Sequence, residues 1–237
     1  MTPFRPLFWP TVTAVPLVLL CFALGVWQIR RLAWKEGLIA ERHAAMTSRP
    51  VPVPRSAAAA RGMQFHRVVV TGEFLNDKEI HLAATSSDGD SGFHVLTPLR
   101  EQSGRIVFVN RGFVPQRLKD PRTRLEGEPA GTVRVIGLLR VAPKAKPNWF
   151  VPDNRPAENY WFWLDLKAMV RADKLADAVP FYIDADATPN PGGWPRGGLT
   201  RLELPNHHLQ YAITWFSLAV AMIVIYFVYH LRIPGSA

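Results

Sequence analysis

Two stretches of this sequence carry no Asp, Glu, Lys or Arg: Pro6 to Ile29, and Leu204 to Leu231. The 23 residues from Leu7 to Ile29 would span roughly 35 Å as a helix, enough to cross a bilayer core. Trp9 and Trp27 stand near the ends of this run, and Tyr211, Tyr226 and Tyr229 toward the ends of the other, where interfacial aromatics are expected. Two such runs in one chain argue for membrane-spanning helices over buried soluble ones. A cleaved signal peptide fits the first run less well, because WQIRRLAWK follows it in place of a small-x-small site. Pro10 and Pro16 mark places where this helix could kink, which a bilayer tolerates if the freed carbonyls find partners.

Between the runs the composition inverts. All 19 acidic residues and 26 of the 28 basic ones fall between Arg30 and Glu203, giving that segment a net charge of +7. The expected organisation is a transmembrane helix at residues 7–29, an extramembrane β-rich domain at 30–203, and an interfacial lead-in with a second transmembrane helix at 204–231. The mean hydropathy of +0.01 averages over this division and conceals it. Cys21, the single cysteine, excludes a disulfide framework or a CxxC site and lies inside the first span. Arg30, Arg31 and Lys35 follow that span while Arg5 alone precedes it. Read locally, the positive-inside rule puts the domain in the cytoplasm, although long loops weaken the rule.

Helix formers from Arg30 to Met46 predict that the first helix continues beyond the membrane. SRPVPVPR, from Ser48 to Arg55, must then be extended, because each X-Pro unit disfavours helix. Ala57 to Ala60 reads as a linker. Short β-rich runs follow: Arg67–Phe74, Glu79–Ala83, Phe93–Leu99, Arg105–Arg111, Val133–Arg140 and Phe181–Asp184. Turn residues separate several of them, at Asn76-Asp77, Asp88-Gly89 and Ser103-Gly104. A short helix is predicted over Asp165–Ala178, and a Gly/Pro-rich passage, Thr188–Gly198, leads toward the second span. The fold class is a membrane protein with two transmembrane helices flanking a mainly antiparallel β domain, α+β and barrel-like.

Motifs of chemistry are scarce. GDSG at Gly89–Gly92 has too little chain before it for a serine-protease barrel and no recognisable histidine context, so it reads as a turn. GxSxG, P-loop, HExxH and GxGxxG patterns do not occur, and the chain is read as no enzyme, with no catalytic residue. His66, His81 and His94 lack chelating spacing and read as strand histidines. The arginines are dispersed without aromatic interleaving, which disfavours nucleic acid; anionic lipid headgroups account for the basic surface. The second span opens with LPNHHLQYAITWF, placing His208, Tyr211 and Trp215 at i, i+3 and i+7 on one helical face. A neutral imidazole there can serve as an axial ligand to haem iron. Spacing alone favours the plainer alternative, an interfacial aromatic belt. Gln28, closing the first span, is placed to hydrogen-bond to the partner helix.

Seven segments occur in order: LGVWQIRRLAWK (24–35), VTGEF (70–74), GFHVLTPL (92–99), VNRGFVP (109–115), GLLR (137–140), FYIDA (181–185) and LPNHHLQYAITWFSLA (204–219). In these the chain resembles the Surfeit-locus protein family, the Surf/Shy assembly factors of haem-copper cytochrome c oxidase. The resemblance implies an inner-membrane protein whose middle domain faces the periplasm or intermembrane space, against the local charge asymmetry. Six residues before the first span leave no room for a transit peptide, so a multi-pass bacterial inner-membrane protein is expected. The implied function is oxidase assembly with binding of haem a and help in its insertion into the catalytic subunit. A haem-independent scaffold for a nascent subunit is the alternative. His208 is the implied haem ligand, with Tyr211 and Trp215 beside it, and the adjacent His207 leaves that assignment open. The implied partners are the oxidase catalytic subunit, haem a synthase and membrane lipids. Gly72, Gly112 and Gly137 in the matching strands are expected to serve turns, bulges or close packing.

Overall fold

A computed structural model describes residues 6–200 and 205–232. The boundary expected between Glu203 and Leu204, and Arg5 of the charge comparison, lie outside the described residues. The chain divides into two compact units, one built from the two terminal segments and one covering Arg42–Leu202.

The terminal unit is a pair of helices. Helix α1 runs from Phe8 to Thr47, continuing past the apolar run as the sequence predicted, and stops ahead of the Arg49-Pro50 step. Pro10 falls in its first turn, where the lost N–H has no helical partner in any case. Pro16 is accommodated without ending the helix. Near this terminus the hydroxyls of Thr11 and Thr13 donate to Leu7 O (2.7 Å) and Trp9 O (3.0 Å). Helix α4, His208–Arg232, runs antiparallel to α1: Thr11 Oγ1 and Tyr226 Oη are 2.6 Å apart, and Gln28 meets His208. The shielded positions of α1 (Thr11, Ala14, Val18, Cys21, Gly25, Gln28) step by three and four residues, which is the seam spacing of packed helices. His208, Ala212, Trp215, Ala219, Met222 and Tyr226 form the corresponding stripe on α4. Small residues let the backbones approach: a Cβ on Gly25 would lie 2.6 Å from the Phe216 ring. The remaining surface is apolar and open, with Leu19 63% and Ile225 66% exposed. Both helices are long and apolar enough to cross a membrane, and an apolar surface this extensive belongs in lipid. This is a membrane protein.

The second unit is a barrel. Its strands are β1 (Val51–Pro52), β2 (Arg67–Phe74), β3 (Ile80–Thr85), β4 (Ser91–Glu101), β5 (Ile106–Pro115), β6 (Thr132–Val141) and β7 (Ala178–Ala185). The order is β1-β2-β6-β7-β5-β4-β3, and β2 also pairs with β4, which closes β2, β6, β7, β5 and β4 on themselves. Closure rests on the end of β2, where Gly72 lies opposite Glu101. A Cβ on Gly72 would meet the Arg100 carbonyl at 2.3 Å, so a side chain there would force the closing strands apart. Most ladders are antiparallel; β1–β2 and β5–β7 are parallel. Alternation sends Val68, Val70, Leu99, Val107, Val109, Leu139, Phe181 and Ile183 to one core. Burying each such side chain is worth roughly 1.5–3 kcal/mol. A second cluster, with Ile80, Phe108, Trp161 and Met169, packs under helix α3 (Leu166–Ala172).

Three expectations are corrected. Ala57–Ala60 is not a linker but the start of helix α2 (Ala57–Gly62): Ser56 Oγ caps Ala59 N, and Ala60 is buried in the barrel core. Helix α3 ends at Ala172, six residues short of the predicted end. Leu175 N bonds back to Val170 O, and Lys174 and Asp177 take left-handed backbone conformations (φ 52° and 58°), turning the chain into β7. GDSG, expected to be a turn, is one only in its first half: the turn spans Ser86–Asp90, with the N–H groups of Asp88 and Asp90 donating to Ser86 Oγ, and Ser91 and Gly92 open β4.

A charged cluster lies buried beside β3. Glu79 Oε1 accepts from His81 Nε2 (2.8 Å) and from the Arg124 guanidinium. Burial works to raise the Glu79 pKa, but the hydrogen bonds and charges of His81 and Arg124 outweigh it and hold the carboxyl below its usual value. Arg111 donates to Gly127 O and packs over the Phe74 ring. Burial pulls its pKa down to about 10, so it remains a cation at neutral pH.

Candidate functional site

The first turn of α4 positions His208. Its Nδ1 lies 2.7 Å from Oε1 of Gln28 on α1. An amide oxygen can only accept, so Nδ1 carries a proton, and in the neutral ring Nε2 then holds the lone pair. Nε2 has no hydrogen-bond partner among the described residues. A ligating histidine is normally held this way: one nitrogen donates to an orienting acceptor, which fixes the tautomer and leaves the other for the metal. Gln28, itself buried, thus makes the cross-helix bond expected of it and orients the His208 ring.

The other members of this set are arranged less tightly. Trp215 is half-buried in the same stripe as His208, two turns along. Tyr211 lies beside the stripe, 54% exposed on the flank of α4. His207 precedes the helix and is exposed; its carbonyl accepts from Tyr211 N (3.2 Å). Of the two adjacent histidines, His208 is the one the fold orients. Lys35 also crosses between the segments, donating to Pro205 O.

Sequence reasoning missed a second polar site, on the outer face of the barrel. Asp184 on β7, only 6% exposed, accepts from Asn110 Nδ2 (2.9 Å) and Arg140 Nη1 (2.7 Å). Asn110 Oδ1 in turn accepts from Gly112 N (3.1 Å). A bulge builds this corner: Val95 pairs with Gly112 and Leu96 with Asn110, leaving Arg111 without a strand partner. It sends Asn110 outward, and Gly112 takes φ +119°, which a side chain would strain. His94 and Tyr182 line the same cleft. The signal available in sequence was a polar residue at an outward strand position in each of GFHVLTPL, VNRGFVP, GLLR and FYIDA. Among the described residues no group of three or more His, Cys, Asp or Glu could hold a metal ion.

Comparison with known proteins supplies the family. The model of the SURF1 family matches residues 15–220, which takes in most of α1, the first half of α4 and the whole barrel. The chain belongs to the SURF1 family. It is 37% identical to Surfeit locus protein 1 of Mus musculus, over 87% of this chain and 71% of that protein. Identity to the Homo sapiens protein of the same name is also 37%, over 90% and 75%. The SURF1-like protein of Monosiga brevicollis is 38% identical, over 90% of this chain and 83% of its own length. Family membership thus covers both the His208 segment and the strands that meet at Asp184.

Proposed function

We propose that the protein is an assembly factor for haem-copper cytochrome c oxidase that binds haem a through His208 and assists its insertion into the catalytic subunit. The observation that carries this reading is the Gln28–His208 bond. It leaves one imidazole lone pair, at Nε2, at the first turn of a helix whose flanks are apolar. Haem is cargo here: iron with one available axial position would take the Nε2 lone pair, and Trp215 supplies aromatic surface along the same stripe. Gln28 keeps a proton on Nδ1 and so reserves Nε2 as the ligating nitrogen. A single axial bond suits a carrier, which must release what it holds. The reading requires no nucleophile or proton shuttle, and we assign no enzymatic activity. The setting we propose is a bacterial inner membrane, with the barrel in the periplasm and haem a synthase as the source of the cargo.

The test is a strain in which His208→Ala replaces the wild-type chain. The oxidase catalytic subunit is purified and its haem a content measured against protein. The expected result is a haem-depleted catalytic subunit that still co-purifies with the variant. Normal haem content would refute the carrier role. It would favour a scaffold acting through contacts alone.

A further inference from the structure

Among the described residues, four large apolar side chains are more than 70% exposed: Phe8, Trp9, Trp149 and Phe150. The first two begin α1, a helix long and apolar enough to cross a membrane. The other two lie on the barrel unit, in the loop that follows β6. Apolar surface held in water carries a free-energy cost, and haem binding at His208 makes no use of this pair.

The loop holds the pair in a defined place. The rings of Trp149 and Phe150 stack with centroids 3.7 Å apart. Asn148 Oδ1 accepts from the N–H groups of Phe150 (3.0 Å) and Val151 (3.2 Å), which fixes the turn that carries both rings. Lys146 Nζ donates to Asp153 Oδ1 (2.7 Å), bridging the two arms of the loop. The Asn154 side chain bonds the backbone of Phe162 and Trp163, beside the buried Trp161. Pro143, Pro147 and Pro152 restrict the backbone between these points. The aromatic tip is therefore set before anything covers it.

Its size and charge say what fits it. Two aromatic side chains offer roughly 300–500 Å² of contact, whereas a standard protein interface takes about 800 Å² from each partner. No other large apolar side chain of the loop is exposed to extend the patch. A prong this small suits a fluid surface that closes around it. Such a surface is always within reach, because the chain joins both ends of the barrel unit to membrane helices. From Ala142 to Arg155 the loop has three basic residues, Lys144, Lys146 and Arg155, against one acid, Asp153. That balance is attracted to anionic headgroups. Tryptophan, apolar in body with one N–H to donate, belongs at the level of those headgroups.

We propose that residues 142–155 form a lipid anchor: Trp149 and Phe150 insert into the interface of an anionic bilayer, and the exposed Lys144 pairs with its headgroups. The anchor gives the barrel unit a contact with lipid beyond its two helical tethers. It does not depend on haem binding by His208, and each can fail without the other.

The test uses the full chain carrying Cys21→Ala and Pro152→Cys, with a nitroxide on the new cysteine, in nanodiscs of phosphatidylcholine and phosphatidylglycerol. Spin-label collision rates with oxygen, which enters lipid, and with a water-soluble nickel chelate separate inserted from withdrawn label. The label is expected to favour oxygen. Trp149→Ser with Phe150→Ser should lower the ratio of inserted to withdrawn label at least about tenfold. Because both rings are exposed, that change should leave urea unfolding of the barrel where it was. Lys144→Ala should lower the ratio about fivefold, equivalent to about 1 kcal/mol. Equal collision ratios with and without the aromatic pair would overturn the proposal. So would a label that stays in water in nanodiscs yet is immobilised in native membrane vesicles, which is the behaviour of a loop docked on a protein.

Discussion

Replacing Glu79 by Gln removes one buried negative charge while leaving shape and volume unchanged. The side chains of Glu79 and Arg124 are 4% and 3% exposed, so neither group can recover its lost contacts from water. Among the described residues the Arg124 guanidinium would then keep Glu128, at 4.0 Å, as its ion-pair partner. At an effective dielectric near 20, two unit charges in close contact interact by about 4 kcal/mol. Breaking a buried pair by removing one partner costs about 3–5 kcal/mol in practice. For a unit the size of residues 42–202, each kcal/mol moves Tm by roughly 2–4 °C. Glu79→Gln is thus expected to lower the barrel's Tm by about 6–20 °C, measured on the full chain in detergent by near-ultraviolet circular dichroism. Glu79→Gln combined with Arg124→Met removes the stranded charge and should recover at least half of that loss. The pH dependence has a fixed sign. The folded-state pKa of Glu79 is depressed, so its contribution is present above the unfolded carboxyl pKa, about 4.3, and is lost as pH falls through the lower folded value. A loss below about 1 kcal/mol in Glu79→Gln, or a double variant no more stable than the single one, would refute this reasoning.

Other substitutions test the helix pair and the bulge. Gly25→Leu drives a side chain into the Phe216 ring and should separate the helices at that level, read as a lower thermal stability of the helix pair by far-ultraviolet circular dichroism of the full chain in detergent. Phe216→Ala in the same chain should recover part of the loss. Gln28→Ala keeps His208 but removes the acceptor for Nδ1–H; haem affinity is expected to fall about 10–100-fold, whereas unchanged affinity would show that the bond orients nothing. Gly112→Ala meets both a φ of +119° and the Arg196 carbonyl, 1.8 Å from the new Cβ. It should destabilise the barrel by more than about 3 kcal/mol in urea unfolding.

The sequence disclosed what depends on one-dimensional pattern. Missing charges located both membrane helices, and alternation at Val68/Val70 and Val107/Val109 located strands whose ends shift by at most four residues in the structure. Closure was not legible, because it depends on which strand Gly72 reaches, and no periodicity encodes that. Ala57–Ala60 looked like a linker since alanine has no polar or apolar pattern of its own; its Ser56 cap and the burial of Ala60 arise only when the barrel is present. Helical spacing placed His208 on one face with Tyr211 and Trp215, and the family resemblance singled it out. Its bond to Gln28 was not legible, since that residue lies 180 residues earlier in the chain. The Asp184 cleft was hidden for the same reason: its polar residues come from β4, β5, β6 and β7 and meet only in three dimensions.

The central claim is that His208 holds haem. Its most direct test is the optical absorption spectrum of the full chain, purified in detergent from cells that make haem a. The wild type and His207→Ala should carry the haem a bands, and His208→Ala should lack them. Equal haem in His208→Ala, or no haem in the wild type while haem a synthesis is running, would contradict it.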